Sequence, residues 1–196
     1  MTTAIEEGQL RFEFGNSWSV ERYDGQEGSG NQRGHGFYRN SVSKLPETKA
    51  VDFVGISNHH GDSCLIEVKD FRGYRIQNKK RLATDELARE VAFKVRDSAA
   101  GFVGAKRNYP HIGVLHSVAD NLVNPEKDVR VVLWLEDDTA INDRSWKAEL
   151  ATLTDRIKSY RRWFTTKVLV VGLSTHANQP PDLVVTNLAG AGRPNP

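Results

Sequence analysis

Two early runs of the chain, Leu10-Arg11-Phe12-Glu13-Phe14 and Trp18-Ser19-Val20-Glu21-Arg22-Tyr23, alternate between apolar and polar positions. A two-residue period belongs to a strand with one buried face. Ala50-Val51-Asp52-Phe53-Val54-Gly55-Ile56 and Cys64-Leu65-Ile66-Glu67-Val68-Lys69-Asp70 are also strand-like, and the turn-like Asn58-His59-His60-Gly61-Asp62 between them predicts a β-hairpin. From Thr84 to Arg107 the pattern becomes helical. Thr84 suits an N-cap, Asp85 and Glu86 suit the positive helix end, and Leu87, Val91, Val95, Ala99 and Phe102 or Val103 form the stripe expected to be buried. Glu90, Lys94 and Asp97 flank that stripe at the spacing of a surface salt-bridge ladder.

Val129 to Leu135 and Lys167 to Leu173 are nearly continuous apolar runs, the pattern of strands covered on both faces. Between them Trp146, Leu150, Leu153, Ile157, Tyr160 and Phe164 recur at helical spacing, with Asn142 or Asp143 as the cap. That order predicts a βαβ unit with parallel strands and a right-handed crossover. The hairpin would join it in one sheet, so the expected class is α/β, a central mixed β-sheet flanked by helices.

The length of 196 residues suits a single domain over 1–185. Gly25 to Gly36 is glycine-rich without the spacing of a dinucleotide fingerprint or the Lys-Ser/Thr of a phosphate loop, so a flexible loop is expected there. Residues 186–196 are expected to be a disordered tail. A net charge of +2 is compatible with nucleic acid without arguing for it, so any attraction to phosphate must be local. The one cysteine, Cys64, rules out an internal disulfide, and it falls on the apolar face of its strand, where a buried inert thiol is expected. No stretch approaches the roughly 20 apolar residues of a membrane span, and the start lacks the apolar core of a signal peptide. A cytoplasmic protein with no membrane partner is expected. His59-His60 read as turn residues, Trp134, Trp146 and Trp163 as packing residues, and Arg161-Arg162 as complements to a helix end.

Candidate chemistry lies on the hairpin. Cys64, Ile66 and Val68 point one way and Glu67 and Lys69 the other, and charged groups on a half-buried strand cost free energy unless something pairs with them. A divalent metal and a phosphate would do so. Asp52, Glu67 and the backbone carbonyl of Val68 are hard oxygen donors of the kind that Mg²⁺ or Mn²⁺ takes. Lys69 would orient or help deprotonate the attacking water and offset charge on the phosphorane. Just beyond, Arg72, Arg75, Lys79, Lys80 and Arg81 come without an acidic residue among them, a candidate loop for backbone phosphates. Asp70, on the opposite face from Glu67, is expected to hold this loop through Arg72 or Arg75.

Val51-Asp52 and Glu67-Val68-Lys69 resemble the motif of the PD-(D/E)XK phosphodiesterase superfamily of restriction-type nucleases, with Val51 in the Pro position. The resemblance covers Lys49 to Arg107. Lys49-Ala-Val-Asp-Phe, Ile66-Glu-Val-Lys-Asp-Phe-Arg and Val91-Ala-Phe-Lys-Val-Arg-Asp look like a group of small bacterial members. It implies a restriction endonuclease-like core and a Mg²⁺-dependent nuclease with Asp52, Glu67 and Lys69 as its catalytic residues, acting on DNA before RNA. Many members add an acidic residue near the N-terminus, for which Glu21 is the nearest candidate, and a polar residue from the following helix, for which Lys94 is the candidate. The alternative is a catalytically silent nucleic-acid-binding or assembly subunit, for example of a phage-defence system. A homodimer, or a partner protein supplying specificity, is compatible with either.

Overall fold

The computed structural model describes residues 2–25, 36–58, 60–109, 112–138 and 144–189, and within these all side chains but those of Arg75 and residues 176–178. Its strands are β1 (Thr3–Glu7), β2 (Leu10–Phe14), β3 (Trp18–Arg22), β4 (Phe53–Ser57), β5 (Asp62–Asp70), β6 (Val129–Glu136), β7 (Val168–Val171) and β8 (Leu183–Asn187). The helices are α1 (Phe37–Asn40), α2 (Arg75–Ala83), α3 (Glu86–Asn108), α4 (Gly113–Val123) and α5 (Arg144–Arg161), with short 3-10 turns at Val42–Lys44 and Leu173–Asn178. Five strands form a mixed sheet in the order β3-β4-β5-β6-β7. The β3/β4 and β4/β5 pairs are antiparallel, whereas β5/β6 and β6/β7 are parallel. The predicted hairpin and the βα5β unit therefore meet on β5, as the α/β expectation requires.

Alternation along these strands gives the two faces of the sheet different partners. Val54, Leu65, Val131, Leu133 and Val170 join the core under the helices, with Leu87, Val91, Val95 and Phe102 of α3, Leu115 and Val118 of α4, and Trp146, Leu150, Leu153 and Ile157 of α5. The other face carries Phe53, Cys64, Ile66, Val68, Val132, Trp134 and Val171. It is covered by a second antiparallel sheet, β1-β2-β8, through Ile5, Leu10, Phe12, Phe14, Leu183 and Val185. Among the described residues, helices thus flank one face only. The reason is the alternation in β2 and β8, which supplies a ready apolar sheet face.

Several expectations need correction. The basic segment after β5 is a helix, α2, rather than a loop. Helix α3 begins at Glu86 with Asp85 as its N-cap, although the Glu86 N–H does donate to Thr84 Oγ1 at 3.3 Å. Val103 is 54% exposed, leaving Phe102 as the end of the stripe. Asp97 is buried rather than part of a surface ladder. Trp163 is 67% exposed, with the Arg161 guanidinium over its ring, so only Trp134 and Trp146 are core residues. Arg161 itself is buried under Trp163 and Phe164, and its Nη1 donates to the Ala92 carbonyl, so it is not a surface complement to the helix end. Thr186 and Asn187 pair with Arg11 and Leu10 as part of β8, so the ordered chain runs past 185. Most of the glycine-rich loop, His59, the caps Asn142 and Asp143, and the end of the tail lie outside the described residues.

The segment leading into β4 is held by α3. The Lys49 N–H donates to Asp97 Oδ2 and the Val51 N–H to Ser98 Oγ, each at 3.0 Å, and the Tyr23 N–H takes the Asp52 carbonyl at 2.9 Å. The Tyr23 ring packs on Phe102, and its hydroxyl lies where a Cβ at residue 101 would be, so only glycine fits there. These contacts fix where Asp52 leaves the backbone. Ser98→Ala would strand the buried Val51 N–H and is expected to cost roughly 1–3 kcal/mol in urea unfolding, with an unchanged denaturant slope.

Candidate active site

Phe53 pairs with Ile66 in the β4/β5 register, and one further step places Asp52 opposite Glu67 on the helix-facing side of the sheet. The sequence separation of the two carboxylates is thus converted into a cross-strand pair. Because β4 proper starts at Phe53, the β5 edge beyond Ile66 is met by the Asp52 side chain, and the Val68 N–H donates to Asp52 Oδ2 at 2.6 Å. Ser63 and Phe71, in the odd set of β5, donate to Asp128 and Glu136 on the β6 side. Val68 belongs to the even set, and a strand residue points its N–H and C=O to the same edge. Its carbonyl therefore faces the Asp52 edge too.

Glu67 has no exposed surface. The ammonium groups of Lys69 and Lys94 approach its Oε1 to 2.8 and 2.6 Å, and Lys94 also lies 3.5 Å from Asp52 Oδ1. Lys69 in turn meets Glu90 Oε1 at 2.9 Å, and Arg81 meets Glu90 Oε2 at 2.5 Å. Three carboxylates and three cations thus interleave from β4 to α2. Oε2 of Glu67 is buried without a hydrogen-bond partner.

Burial, and then the nearby Asp52 charge, push Glu67 up to about 7 against the pull of Lys94 and Lys69. For Lys69, burial disfavours the charge, but Glu67 and Glu90 outweigh it and hold the ammonium above the ordinary lysine range. Lys94 is raised in the same way, against burial, by Glu67 and Asp52. Burial works against ionising Glu90, yet the contacts with Lys69 and then Arg81 keep its carboxyl below the ordinary range. A lysine held this firmly protonated is a poor base. Its contacts with Glu67 and Glu90 hold Lys69 as a positive charge beside the carboxylates. Cys64, on the opposite face, is pushed up to about 12 by burial and is inert.

Lys94 lies in the site, and its partner on α3, Glu90, anchors Lys69 instead of forming a surface ladder. The signal for both was the four-residue spacing beside the buried stripe, which turns one flank of the helix toward β5. Glu21 sits opposite Val54, on the same sheet face as Asp52 but one strand step further from Glu67. Asp24 is an N-terminal carboxyl whose pKa burial, then Asp52 and Glu7, raise to about 6, with Arg22 and then Lys94 pulling the other way. Nothing in the local pattern singled it out. Among the described residues no three His, Cys, Asp or Glu side chains form a group able to hold a metal.

The five basic residues divide. Arg72 is tied to Asp70 at 2.6 Å and to Asn187, which makes Asp70 the anchor of this segment. Arg81 is tied to Glu90 and stacks on Phe71. Lys79 and Lys80 are exposed and have no ion-pair partner among the described residues. The Arg75 side chain lies outside them.

The donor set fits a hard divalent cation. Asp52, Glu67 and the Val68 carbonyl are oxygen donors on one edge, Glu67 Oε2 is buried and unpartnered, and the Lys94 ammonium bridges the two carboxylates as a cation would. No family model, no curated protein and no solved structure matches the chain.

A carboxyl whose folded-state pKa lies above its unfolded value stabilises the fold only while it is protonated. Relative to Glu67→Gln, the wild type should therefore lose roughly 3 kcal/mol as pH rises from the unfolded range near 4.5 to about 7, and lose no more beyond it. Urea denaturation of both proteins across that window checks this, and parallel stability curves would contradict the buried, resisted ionisation of Glu67.

Proposed function

We propose that the protein is a metal-dependent phosphodiesterase that hydrolyses nucleic acid, DNA before RNA, of the PD-(D/E)XK type that its motif residues resemble. The observation that carries this reading is Glu67, a carboxylate without exposed surface, across from Asp52, with one oxygen unpartnered. A buried ion-pair cluster is an expensive way to hold a fold together, because apolar residues of similar volume do so as well or better. Its position near the end of the central strand β5, tied through Arg81 to the basic helix α2, supports a role in chemistry. The order of hairpin, long helix and parallel strands agrees with a restriction endonuclease-like core.

In this reading Asp52, Glu67 and the Val68 carbonyl would hold Mg²⁺ or Mn²⁺, which when bound supplies polarisation of the phosphorus and a lowered pKa for water. Lys69, kept protonated by Glu67 and Glu90, sets a positive charge against the phosphoryl oxygen where negative charge builds. Glu90 positions Lys69 and orders Arg81. Lys94 balances the carboxylates and would offer its charge to a phosphate bound beside them. Lys79 and Lys80 hold backbone phosphates without reading bases. Specificity comes from a second copy of the chain or from a partner protein.

One observation favours the second reading, a catalytically silent nucleic-acid-binding or assembly subunit. Lys94 already bridges Asp52 and Glu67, so the carboxylates are neutralised without metal. Cleavage of plasmid, linear duplex, single-stranded DNA and RNA with Mg²⁺ or Mn²⁺ decides between them. The nuclease reading expects metal-dependent cutting that falls by roughly a hundredfold or more in Asp52→Asn, Glu67→Gln and Lys69→Ala. A well-folded wild type that binds nucleic acid and cuts none of these substrates would favour the silent subunit.

A further inference from the structure

Helix α2 exposes two large apolar side chains in an otherwise basic surface. Tyr74, at its N-cap, is 62% exposed and Ile76 is 89% exposed. Both follow closely on Lys69 in the chain. Ile76, Lys79 and Lys80 stand at i, i+3 and i+4, so they share one solvent-facing side of the helix. The backbone of Tyr74 is fixed: its N–H donates to the Phe71 carbonyl at 2.9 Å, and its own carbonyl accepts from the Asn78 N–H at 3.1 Å and Nδ2 at 3.0 Å. Before it, the Gly73 N–H donates to Asp138 Oδ2 at 2.8 Å, at a backbone φ of 76° that favours glycine. Phe71 is buried and carries Arg81, which reaches Glu90 and through it Lys69. The exposed ring is therefore mounted on the same frame as the candidate catalytic lysine.

We infer that the exposed start of α2 receives an unpaired nucleic-acid strand that passes over the helix end, with the Tyr74 ring stacked on a base, Ile76 against a neighbouring base or sugar, and Lys79 and Lys80, one turn further on, on the phosphates. The inference rests on the nucleic-acid reading of the adjacent site and narrows its substrate to strands with unpaired nucleotides. Charge complementarity selects nucleic acid as the occupant, because Lys79 and Lys80, exposed and without an ion-pair partner among the described residues, lie one turn beyond Ile76. The apolar pair itself selects the unpaired form. A duplex turns its base faces inward and offers this surface mainly phosphate and sugar, which a phenol ring and a branched alkyl group gain little by touching. An unpaired strand offers a π-face at every base, and stacking on an aromatic side chain is tolerant of sequence.

The test is fluorescence anisotropy in EDTA, with labelled oligothymidylate and a duplex of matched length, followed by cleavage of the same molecules with Mg²⁺. The inference expects tighter binding of the single strand. Tyr74→Ala should weaken that binding by roughly tenfold while leaving duplex binding unchanged, and Tyr74→Phe should restore it. Lys79→Ala should weaken both and lower the salt dependence by about one counterion. Circular dichroism of the Tyr74 variants controls for folding. Equal binding of oligothymidylate by wild type, Tyr74→Ala and Ile76→Ala would overturn the inference, as would a preference for duplex or binding of neither. The two readings separate cleanly. A protein that binds the strand through Tyr74 but never cuts keeps this surface and loses the enzyme, whereas one that cuts without needing Tyr74 or Ile76 keeps the enzyme and loses this surface.

Discussion

Glu67 is a charge-bearing group with no exposed surface, on the central strand of the five-stranded sheet. Leaving a carboxylate there unpaired would cost several kcal/mol, so its surroundings must supply positive charge or a proton. Lys69 comes from the same strand and Lys94 from α3, and the fit of α3 onto the sheet is what brings the second ammonium within 2.6 Å. Lys69 then requires Glu90, and Glu90 requires Arg81, so the electrostatic demand of one residue fixes the relation of β5, α3 and α2. The hydrogen bonds from Lys49 and Val51 to Asp97 and Ser98 fix the remaining member of the cluster, Asp52.

A cluster with matched numbers of carboxylates and cations is balanced only while nothing else enters it. In the proposed reading a divalent cation would bring two positive charges to Asp52 and Glu67, where the Lys94 ammonium now stands, and a phosphate would bring negative charge for that ammonium to meet. Lys69 is different, because Glu67 and Glu90 both hold its ammonium, at 2.8 and 2.9 Å. Electrostatic preorganisation of this kind costs no rearrangement at the moment of reaction.

The hairpin, the βαβ unit and the long helix were legible because each has a strong pattern: two strand-like runs around a turn in β4 and β5, continuous apolar runs in β6 and β7, and the Leu87-Val91-Val95 stripe in α3. The cross-strand meeting of Asp52 and Glu67 followed from hairpin register alone. Other elements carried a signal that was there to be read, such as Leu115, Val118 and Ala119 at helical spacing in α4, and Leu183 and Val185 alternating with exposed Val184 in β8. The covering of one sheet face by β1-β2-β8 was not legible, since it depends on a strand from the far end of the chain pairing with β2. Nor were the partners of charged residues. Glu90 and Lys94 have the spacing of a surface ladder, and only the tertiary fit of α3 turns them toward β5. Arg72 and Arg81 look as free as Lys79 and Lys80 in the sequence, yet Asp70 and Glu90 occupy them.

The central claim is that Asp52 and Glu67 form a buried site for a hard divalent cation, and Mn²⁺ titration followed by the electron paramagnetic resonance signal of the free ion tests it most directly. The account predicts that the wild-type protein takes up Mn²⁺ at a single site, that Mg²⁺ competes for it, and that Asp52→Asn and Glu67→Gln each abolish the uptake. Wild-type protein that leaves the free Mn²⁺ signal unchanged, or variants that bind as well as the wild type, would contradict it and leave the cluster as a structural ion-pair network.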